Sequence, residues 1–237
     1  APLISNHDIL FMLYCIDCPF HISENKKCLF QKRHIALNPF SFKKGEVVFS
    51  ENQSLSGVFC IKEGTAVILK TCSNGKDQII ELLSRGTLLG IRSLLSNDKT
   101  NLQAKSLTPI SGCFLAKEDF FLLLANDPDF SLFICTQLAS YIKKSDDRIV
   151  TIGQKSMRQR VAEILLELPI YFKTQNNGFV DVKLRREDLA NMIGIASESL
   201  IRTLSFFREQ AWIELKGKEI KIINSKKLEQ ISQGHYV

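Results

Sequence analysis

The first half of the chain alternates apolar and polar residues in short runs that end at turn residues. This period of two is typical of strands. The Asn-Gly pair inside Ser73–Lys76 is the clearest hairpin turn, because both central residues tolerate a positive φ. Turn signals recur roughly every 8 to 12 residues between Ser41 and Leu115, which predicts a β-sandwich or β-roll. The predicted strands include Glu46–Phe49, Val58–Ile61, Ala66–Leu69 and Gln78–Leu83.

From Asp119 onward the apolar period changes to three or four residues, which predicts helices. A short helix ends near Asn126-Asp127-Pro128, and a longer one runs from about Asp129 towards Gly153. A helix that joins two domains has one face that packs against neither of them. This pattern therefore favours a dimer seam over an ordinary amphipathic surface helix. The apolar positions are Ile134, Leu138, Tyr141, Ile142, Ile149 and Ile152, and Ser145 and Arg148 interrupt them.

The last third of the chain predicts two helices joined by a short glycine turn and followed by a hairpin. The helices are Arg185–Met192 and Ser197–Glu209, with Ile193-Gly194-Ile195-Ala196 between them. This is the pattern of a helix-turn-helix, and the hairpin is its wing. The other predicted elements are a helix from Arg158 that ends at Pro169, a short strand Phe179–Val182, and the wing strands Trp212–Leu215 and Glu219–Ile223.

The positive charge of the chain is concentrated in this C-terminal third. Residues 155–237 carry 14 Lys and Arg against 10 Asp and Glu, whereas residues 1–154 carry 17 against 15. A basic segment fits a polyanionic partner, although many solvated helices are equally basic.

The helix from Ser197 has the two faces that a recognition helix needs. Ser197, Glu198, Ser199 and Arg202 form its polar side near the start, and Leu200, Leu204 and Phe207 form its apolar side. A guanidinium can donate two hydrogen bonds to guanine, and a carboxylate can accept one from cytosine. The alternative is a surface ion pair between Glu198 and Arg202, which are spaced i,i+4. We further expect Arg185, Arg186 and Lys218 to contact phosphate.

Several stretches of this chain resemble the CRP/FNR family of bacterial regulators, the catabolite activator and fumarate-nitrate regulator proteins. In the C-terminal third they are Leu184-Arg185-Arg186-Glu187-Asp188-Leu189-Ala190, Gly194 and Ser197-Glu198-Ser199-Leu200-Ile201-Arg202-Thr203-Leu204. Upstream they are Phe42-Lys43-Lys44-Gly45-Glu46, Ile61-Lys62-Glu63-Gly64 and Gly86-Thr87-Leu88-Leu89-Gly90. The likeness extends from about residue 28 onward.

The resemblance implies an α+β fold with an N-terminal β-roll, a long dimerisation helix and a C-terminal winged helix-turn-helix. The β-roll would be a jelly roll like that of cyclic-nucleotide-binding domains. The expected divisions are an N-terminal cysteine-containing segment (1–30), a sensor domain (31–125), the dimerisation helix (126–153) and a DNA-binding domain (154–237).

The resemblance also implies a symmetric homodimer on double-stranded DNA with a near-palindromic operator. The Glu and Arg that match Glu198 and Arg202 read a TGA-like core in the family. The residue before that Glu tunes the outer base, and here it is Ser197. RNA polymerase is an expected partner if the protein is an activator.

The segment Gly90, Ile91, Arg92 and Ser93 is the expected effector pocket of the β-roll. Family members that bind cyclic nucleotides have a Glu after this glycine and an Arg about ten residues later, for the ribose and the phosphate. Here the expected Arg position is Thr100 or Asn101. Both signature residues are missing, so we do not expect cyclic AMP.

The cysteines predict a different sensor. Cys15, Cys18 and Cys28 form a C-x2-C-x9-C pattern before the β-roll. By the resemblance, Cys113 lies where the oxygen-sensing branch has its internal cluster ligand. Four thiolates could hold a [4Fe-4S] cluster. The gap from Cys18 to Cys28 is longer than in that branch, which leaves the third ligand open.

Other interpretations of the cysteines remain open. The thiolates could hold zinc, the N-terminal pair could form a redox disulfide, or the cysteines could be small buried apolar residues. Cys60, Cys72 and Cys135 are interpreted as structural. Haem ranks low, because His7, His21, His34 and His235 all lie outside the central part of the β-roll.

The sequence disfavours several other classes of protein. No run approaches the roughly 20 apolar residues of a membrane span, and Ile9–Leu13 lacks the flanks of a signal peptide, so we expect a cytoplasmic protein. No phosphate-binding loop, nucleophile elbow or zinc-protease motif is present, so we expect no enzyme. The competing class is an effector-binding module that acts on a protein partner through its C-terminal segment.

Overall fold

The computed structural model describes residues 38–72 and 77–234, which form two compact units. The first unit contains the described residues up to Gly64 together with Ser84–Ala139, and the second contains Thr65–Leu83 and the residues from Ser140 on. The strands are β1 (Asn38–Phe42), β2 (Val47–Phe49), β3 (Gly57–Glu63), β4 (Ala66–Thr71), β5 (Asp77–Leu83), β6 (Leu88–Leu89), β7 (Gln103–Ser106), β8 (Ile110–Ala116), β9 (Ile213–Lys216) and β10 (Glu219–Ile222). The helices are α1 (Ile91–Ser96), α2 (Lys117–Asn126), α3 (Pro128–Gln154), α4 (Met157–Tyr171), α5 (Arg186–Ile193), α6 (Ser197–Glu209) and α7 (Ser225–Ser232).

The first unit is built on a four-stranded antiparallel sheet in the order β1-β8-β3-β6. Val58 opposes Leu115 and Cys60 opposes Cys113, so these buried side chains share one face of the sheet. Helix α2 and the start of α3 close over this core, where the rings of Phe120 and Phe130 lie 5.5 Å apart in an edge-to-face contact. In the same unit β2 pairs with β7.

The second unit combines the β4–β5 hairpin with the rest of α3 and all later elements. Ser156 caps the N-terminus of α4: its hydroxyl accepts from the amide of Gln159 while the Gln159 side chain accepts from the amide of Ser156. This capping box satisfies two amides that the first helical turn leaves without partners. Helices α4, α5, α6 and α7 bury Leu165, Leu189, Leu204 and Leu228.

Most predicted elements are confirmed, and helix α6 has its predicted bounds. The prediction that the helix from Arg158 ends at Pro169 is wrong, because α4 continues to Tyr171 and closes with the amide of Phe172 donating to Leu168 O. Buried Leu165 and Leu168 hold this last turn in place. The proline therefore costs only one hydrogen bond near the end of the helix.

The predicted strand Phe179–Val182 is also wrong. Only Val180 pairs, in single bridges to Thr174 and to Ile220 of β10. The amide of Val182 donates back to Val180 O, which bends the chain away after one residue. The predicted turn Ser73–Lys76 lies outside the described residues. The sequence pattern does not single out the strands β1, β6, β7 and β8 or the helices α1 and α7.

Candidate nucleic-acid interface

The helix-turn-helix consists of α5, the turn Gly194–Ala196 and α6. Gly194 ends α5 in the left-handed conformation, with φ +68°, and the amide of Ile195 donates to Ala190 O. Residues other than glycine rarely adopt this conformation, so the glycine sets the angle at which α6 leaves the turn.

Three side chains from outside the helix-turn-helix cap the last carbonyl groups of α5. Gln78 donates to Asn191 O at 2.5 Å, Arg148 donates to Met192 O at 2.6 Å, and Arg160 donates to Ile193 O at 3.0 Å. Cationic donors also complement the negative end of a helix dipole. The hairpin β4–β5 and helices α3 and α4 thus hold the end of α5 in position.

Of these three side chains, Arg148 connects the most elements. Its guanidinium also donates to Ile80 O of β5, so the one side chain joins α3, β5 and α5. Burial lowers the pKa of Arg148, and the nearby Glu81 and Glu167 partly offset this effect. The sequence had presented Arg148 only as an interruption of the apolar stripe on α3.

Helix α6 is sharply two-sided, as predicted. Leu200, Leu204 and Phe207 are buried, whereas Glu198 and Arg202 are exposed near its N-terminus. Ser197 and Ser199 are half-buried at the same end.

The surface ion pair between Glu198 and Arg202 does not form in the described part of the chain. The only side-chain hydrogen bond of Arg202 there is a long one, 3.5 Å from Nη2 to Ser199 Oγ. The carboxylate of Glu198 makes no hydrogen bond or ion pair with any described residue. Both charged groups therefore remain available to an external partner.

Arg185 and Lys218 both act on the carboxylate of Asp188. The guanidinium of Arg185 donates to Asp188 through Nε at 3.0 Å and through Nη2 at 2.9 Å. Burial raises the pKa of Asp188, but the hydrogen bonds from Arg185 and the charge of Lys218 outweigh it, so the net pKa is lowered. Arg185 and Lys218 are exposed, and Arg185 also lies 3.9 Å from a carboxylate oxygen of Glu187.

Arg186 points to the wing instead. Its Nη2 donates to Gly217 O at 2.9 Å in the turn between β9 and β10, and burial lowers its pKa. Among the described residues its Nη1 is buried and has no hydrogen-bond partner. This side chain supports the wing turn.

Two features of α6 were absent from the sequence-based prediction. The guanidinium of Arg158 lies 4.3 Å from the centre of the Phe206 ring, a cation–π contact that ties α4 to α6. Ile201 is 51% exposed on the polar side of α6. The exposure of Ile201 could have been predicted, because it is an apolar residue outside the buried stripe of the helix. The contact of Arg158 could not, because it depends on tertiary packing.

The predicted effector pocket lies at the start of α1 in the first unit. Gly90 precedes α1 with φ +89°, Ile91 is buried, Arg92 and Ser93 are half-buried, and Arg92 Nη2 donates to Asn101 Oδ1 at 3.1 Å. Of the two residues at the expected arginine position, Asn101 accepts this bond from Arg92 and Thr100 is buried. Its hydroxyl donates to Ser50 O and accepts from the amide of Gln53, so it serves the fold of a turn.

Of the four candidate cluster ligands, Cys15, Cys18 and Cys28 lie outside the described residues. Cys113 is buried on β8 opposite Cys60 of β3. Thiols are suitable ligands for iron or zinc. Within residues 38–72 and 77–234 no group of three or more His, Cys, Asp or Glu side chains is arranged to hold a metal ion. The candidate haem ligands, all four histidines, also lie outside this part of the chain.

A cavity of about 640 Å³ lies within the second unit. Its lining mixes apolar side chains with charged groups of both signs, among them Glu81, Arg148, Glu163 and Glu167. None of the described helices combines the length and apolar character needed to cross a membrane.

Comparison with known proteins agrees with these observations. Residues 39–127 match the family model of the cyclic nucleotide-binding domain, and residues 159–231 match that of the Crp-like helix-turn-helix domain. A CRP-like cAMP-activated global transcriptional regulator of Mycobacterium tuberculosis is 24% identical over 194 residues, which cover 81% of this chain and 87% of the relative. The fumarate and nitrate reduction regulatory protein of Escherichia coli is 25% identical over 234 residues, which cover 94% of this chain and 91% of the relative.

The solved structures show the same fold. FixK2 from Bradyrhizobium japonicum aligns with a TM-score of 0.73 at 22% identity, over 83% of this chain and 97% of that one. TTHA1359, a CRP/FNR-family transcriptional regulator from Thermus thermophilus, aligns with a TM-score of 0.72 at 18% identity, over 84% and 100%. The predicted class is confirmed: a cyclic-nucleotide-binding jelly roll, a long helix and a C-terminal helix-turn-helix. The chain belongs to the CRP/FNR family of transcription regulators.

Proposed function

We propose that this protein binds a near-palindromic operator as a homodimer, with one α6 helix in the major groove of each half-site. The observation that carries the proposal is the polar side of α6, where Glu198 and Arg202 are exposed without an ion pair between them. The opposite side of the helix is fully used in packing, so only this face is open to DNA.

Each residue of this face has a role that its chemistry supports. Arg202 donates two hydrogen bonds to guanine O6 and N7, and Glu198 accepts from cytosine N4. Ser197 and Ser199 hydrogen-bond to neighbouring bases or phosphates. Arg185 and Lys218 contact phosphate. Arg186, the third predicted phosphate contact, acts mainly by supporting the wing that carries Lys218.

The dimer forms along α3. Ile142, Ile149 and Ile152 are all more than half exposed, whereas Ile134 on the same helix is buried. Six positions of α3, these three isoleucines among them, follow a heptad spacing that brings them to one seam of a coiled coil. These positions are Cys135, Leu138, Ile142, Ser145, Ile149 and Ile152, of which Leu138 and Ser145 are half-buried in the single chain.

The operator and the role of Arg202 can be tested together. The wild-type protein, prepared both in air and anaerobically, is used to select binding sites from a pool of random DNA. A palindromic consensus is expected, and Arg202→Ala is expected to lose at least tenfold in specific affinity while its thermal unfolding is unchanged, since the side chain is exposed. Arg208→Ala, at the far end of the same helix, is the matched control. Unchanged specificity in R202A would refute the assigned role.

The signal is sensed in the N-terminal half, and a [4Fe-4S] cluster on Cys15, Cys18, Cys28 and Cys113 is the candidate that the cysteine pattern supports. A bound cluster would make the dimer sensitive to oxygen or nitric oxide, and its loss would release DNA. Anaerobic purification should then yield a brown protein with iron and sulfide near cluster stoichiometry. A colourless, iron-free anaerobic preparation would end this branch of the proposal.

The cavity in the second unit favours an alternative in which a small organic effector, and no metal, is the signal. Its mixed charges would suit a zwitterionic molecule.

A second alternative is a regulatory module whose C-terminal segment contacts a protein. In that case selection from random DNA yields no consensus, and pull-down with this segment identifies the partner. If the protein activates transcription, we expect it to bind RNA polymerase in addition to DNA. We expect it to act in the cytoplasm.

A further inference from the structure

Ile201 is an apolar side chain on the side of α6 that carries Glu198 and Arg202. It is 51% exposed, whereas Leu200 and Leu204 beside it are buried. The packing of α6 therefore covers only about half of Ile201. A single exposed apolar residue needs no partner by itself, but Ile201 lies on the face of α6 that the proposed function places against base edges.

The position of Ile201 on the helix puts it in reach of the same groove. A helix turns by about 100° per residue, so Ile201 and Arg202 lie about 60° and 40° to either side of Glu198. These three side chains form one exposed arc, and the buried side chains of α6 occupy the opposite half. When Glu198 and Arg202 face base edges, Ile201 faces the neighbouring part of the groove.

The major groove presents one apolar group on its base pairs, the C5 methyl of thymine. The other groups that distinguish base pairs there are hydrogen-bond donors or acceptors, and an isoleucine that covered one would remove water without replacing its hydrogen bonds. We propose that Ile201 is a specificity-determining residue that selects thymine, through this methyl group, at one base pair in each half-site. The inference rests on the DNA-binding function proposed above.

The test removes the methyl group without changing any hydrogen bond. In the selected operator, each thymine is replaced in turn by deoxyuridine, together with its symmetry mate in the other half-site. Dissociation constants are measured by fluorescence anisotropy at one salt concentration. At one such pair of positions, the substitution should weaken wild-type binding by about fourfold per methyl group, or about 15-fold for the two half-sites.

The Ile201→Ala variant should bind the thymine and deoxyuridine operators equally well at that pair of positions. Ile201→Val keeps a branched apolar group and should retain the preference for thymine. The inference is overturned if the wild-type protein shows no thymine preference at any position, or if I201A keeps the wild-type ratio. Either result leaves DNA binding standing, whereas failure to select any operator overturns the proposed function as well.

Discussion

Replacing Ile149 by lysine tests whether the exposed isoleucines of α3 form the dimer seam. Ile149 is 70% exposed in the single chain, so most of its surface is still to be buried when two chains meet. Full burial of an isoleucine contributes about 1.5–3 kcal/mol. For the remaining exposure in both copies, the loss is about 2–4 kcal/mol per dimer, or roughly 30- to 700-fold in the dissociation constant. Two facing lysines would add repulsion.

Sedimentation equilibrium over a range of protein concentrations measures this dissociation constant directly. The Ile149→Lys variant should fold normally, because the side chain is exposed in the monomer, and it should lose operator affinity together with dimerisation. Val150→Lys is the matched control, since Val150 is 57% exposed and lies about 100° away around the helix. A wild-type dimerisation constant in I149K, or equal dissociation in V150K, would refute the seam.

Four further changes test the site and its support. Arg148→Ala should lower the free energy of unfolding by about 2–3 kcal/mol in urea, because it leaves carbonyl groups of two elements without their charged donor, and Arg148→Lys should recover part of this; a loss below about 0.5 kcal/mol would contradict this role. Gly194→Ala should cost about 1 kcal/mol because φ is positive there, and Gly194→Asn should cost less, so equal losses would argue against a backbone cause. Asp188→Asn should cost about 1 kcal/mol at neutral pH. The folded-state pKa of Asp188 is lowered, so its contribution to stability is present above the ordinary carboxyl pKa of about 4 and is lost as pH falls through the folded-state value. The free energies of unfolding of wild type and D188N should therefore converge in acid. A difference that stays constant with pH would be inconsistent with this linkage. Lys218→Ala should weaken binding to all DNA sequences alike and reduce the slope of log affinity against log salt by about 0.9 per half-site, as measured by anisotropy at several salt concentrations; an unchanged slope would remove Lys218 from the phosphate contacts.

Local chemistry explains why much of the C-terminal unit could be predicted. The start of α6 follows from the glycine turn before it. Its helical character follows from apolar residues spaced three or four apart, which lie on one face only in a helix. The two-sided character of α6 follows from the same spacings, so Glu198 and Arg202 could be singled out before any coordinates. The wing was predictable because two alternating runs flank Lys216-Gly217-Lys218.

Long-range packing decided what the sequence could not. The helix that contains Pro169 runs past the proline because Leu165 and Leu168 are held in a core built from distant segments. The Phe179–Val182 run looks like a strand, yet only Val180 has a partner. Alternation records which residues are buried, and it does not record which backbone they pair with.

The sequence by itself determined the helix-turn-helix, the wing and the polar face of α6, because these depend on residues close together in the chain. Tertiary structure alone decided that Arg148 caps α5, that Arg186 holds the wing and that Glu198 and Arg202 stay unpaired with each other. An arginine can reach acceptors that are distant in sequence and near in space. Its partner is therefore a property of the folded chain.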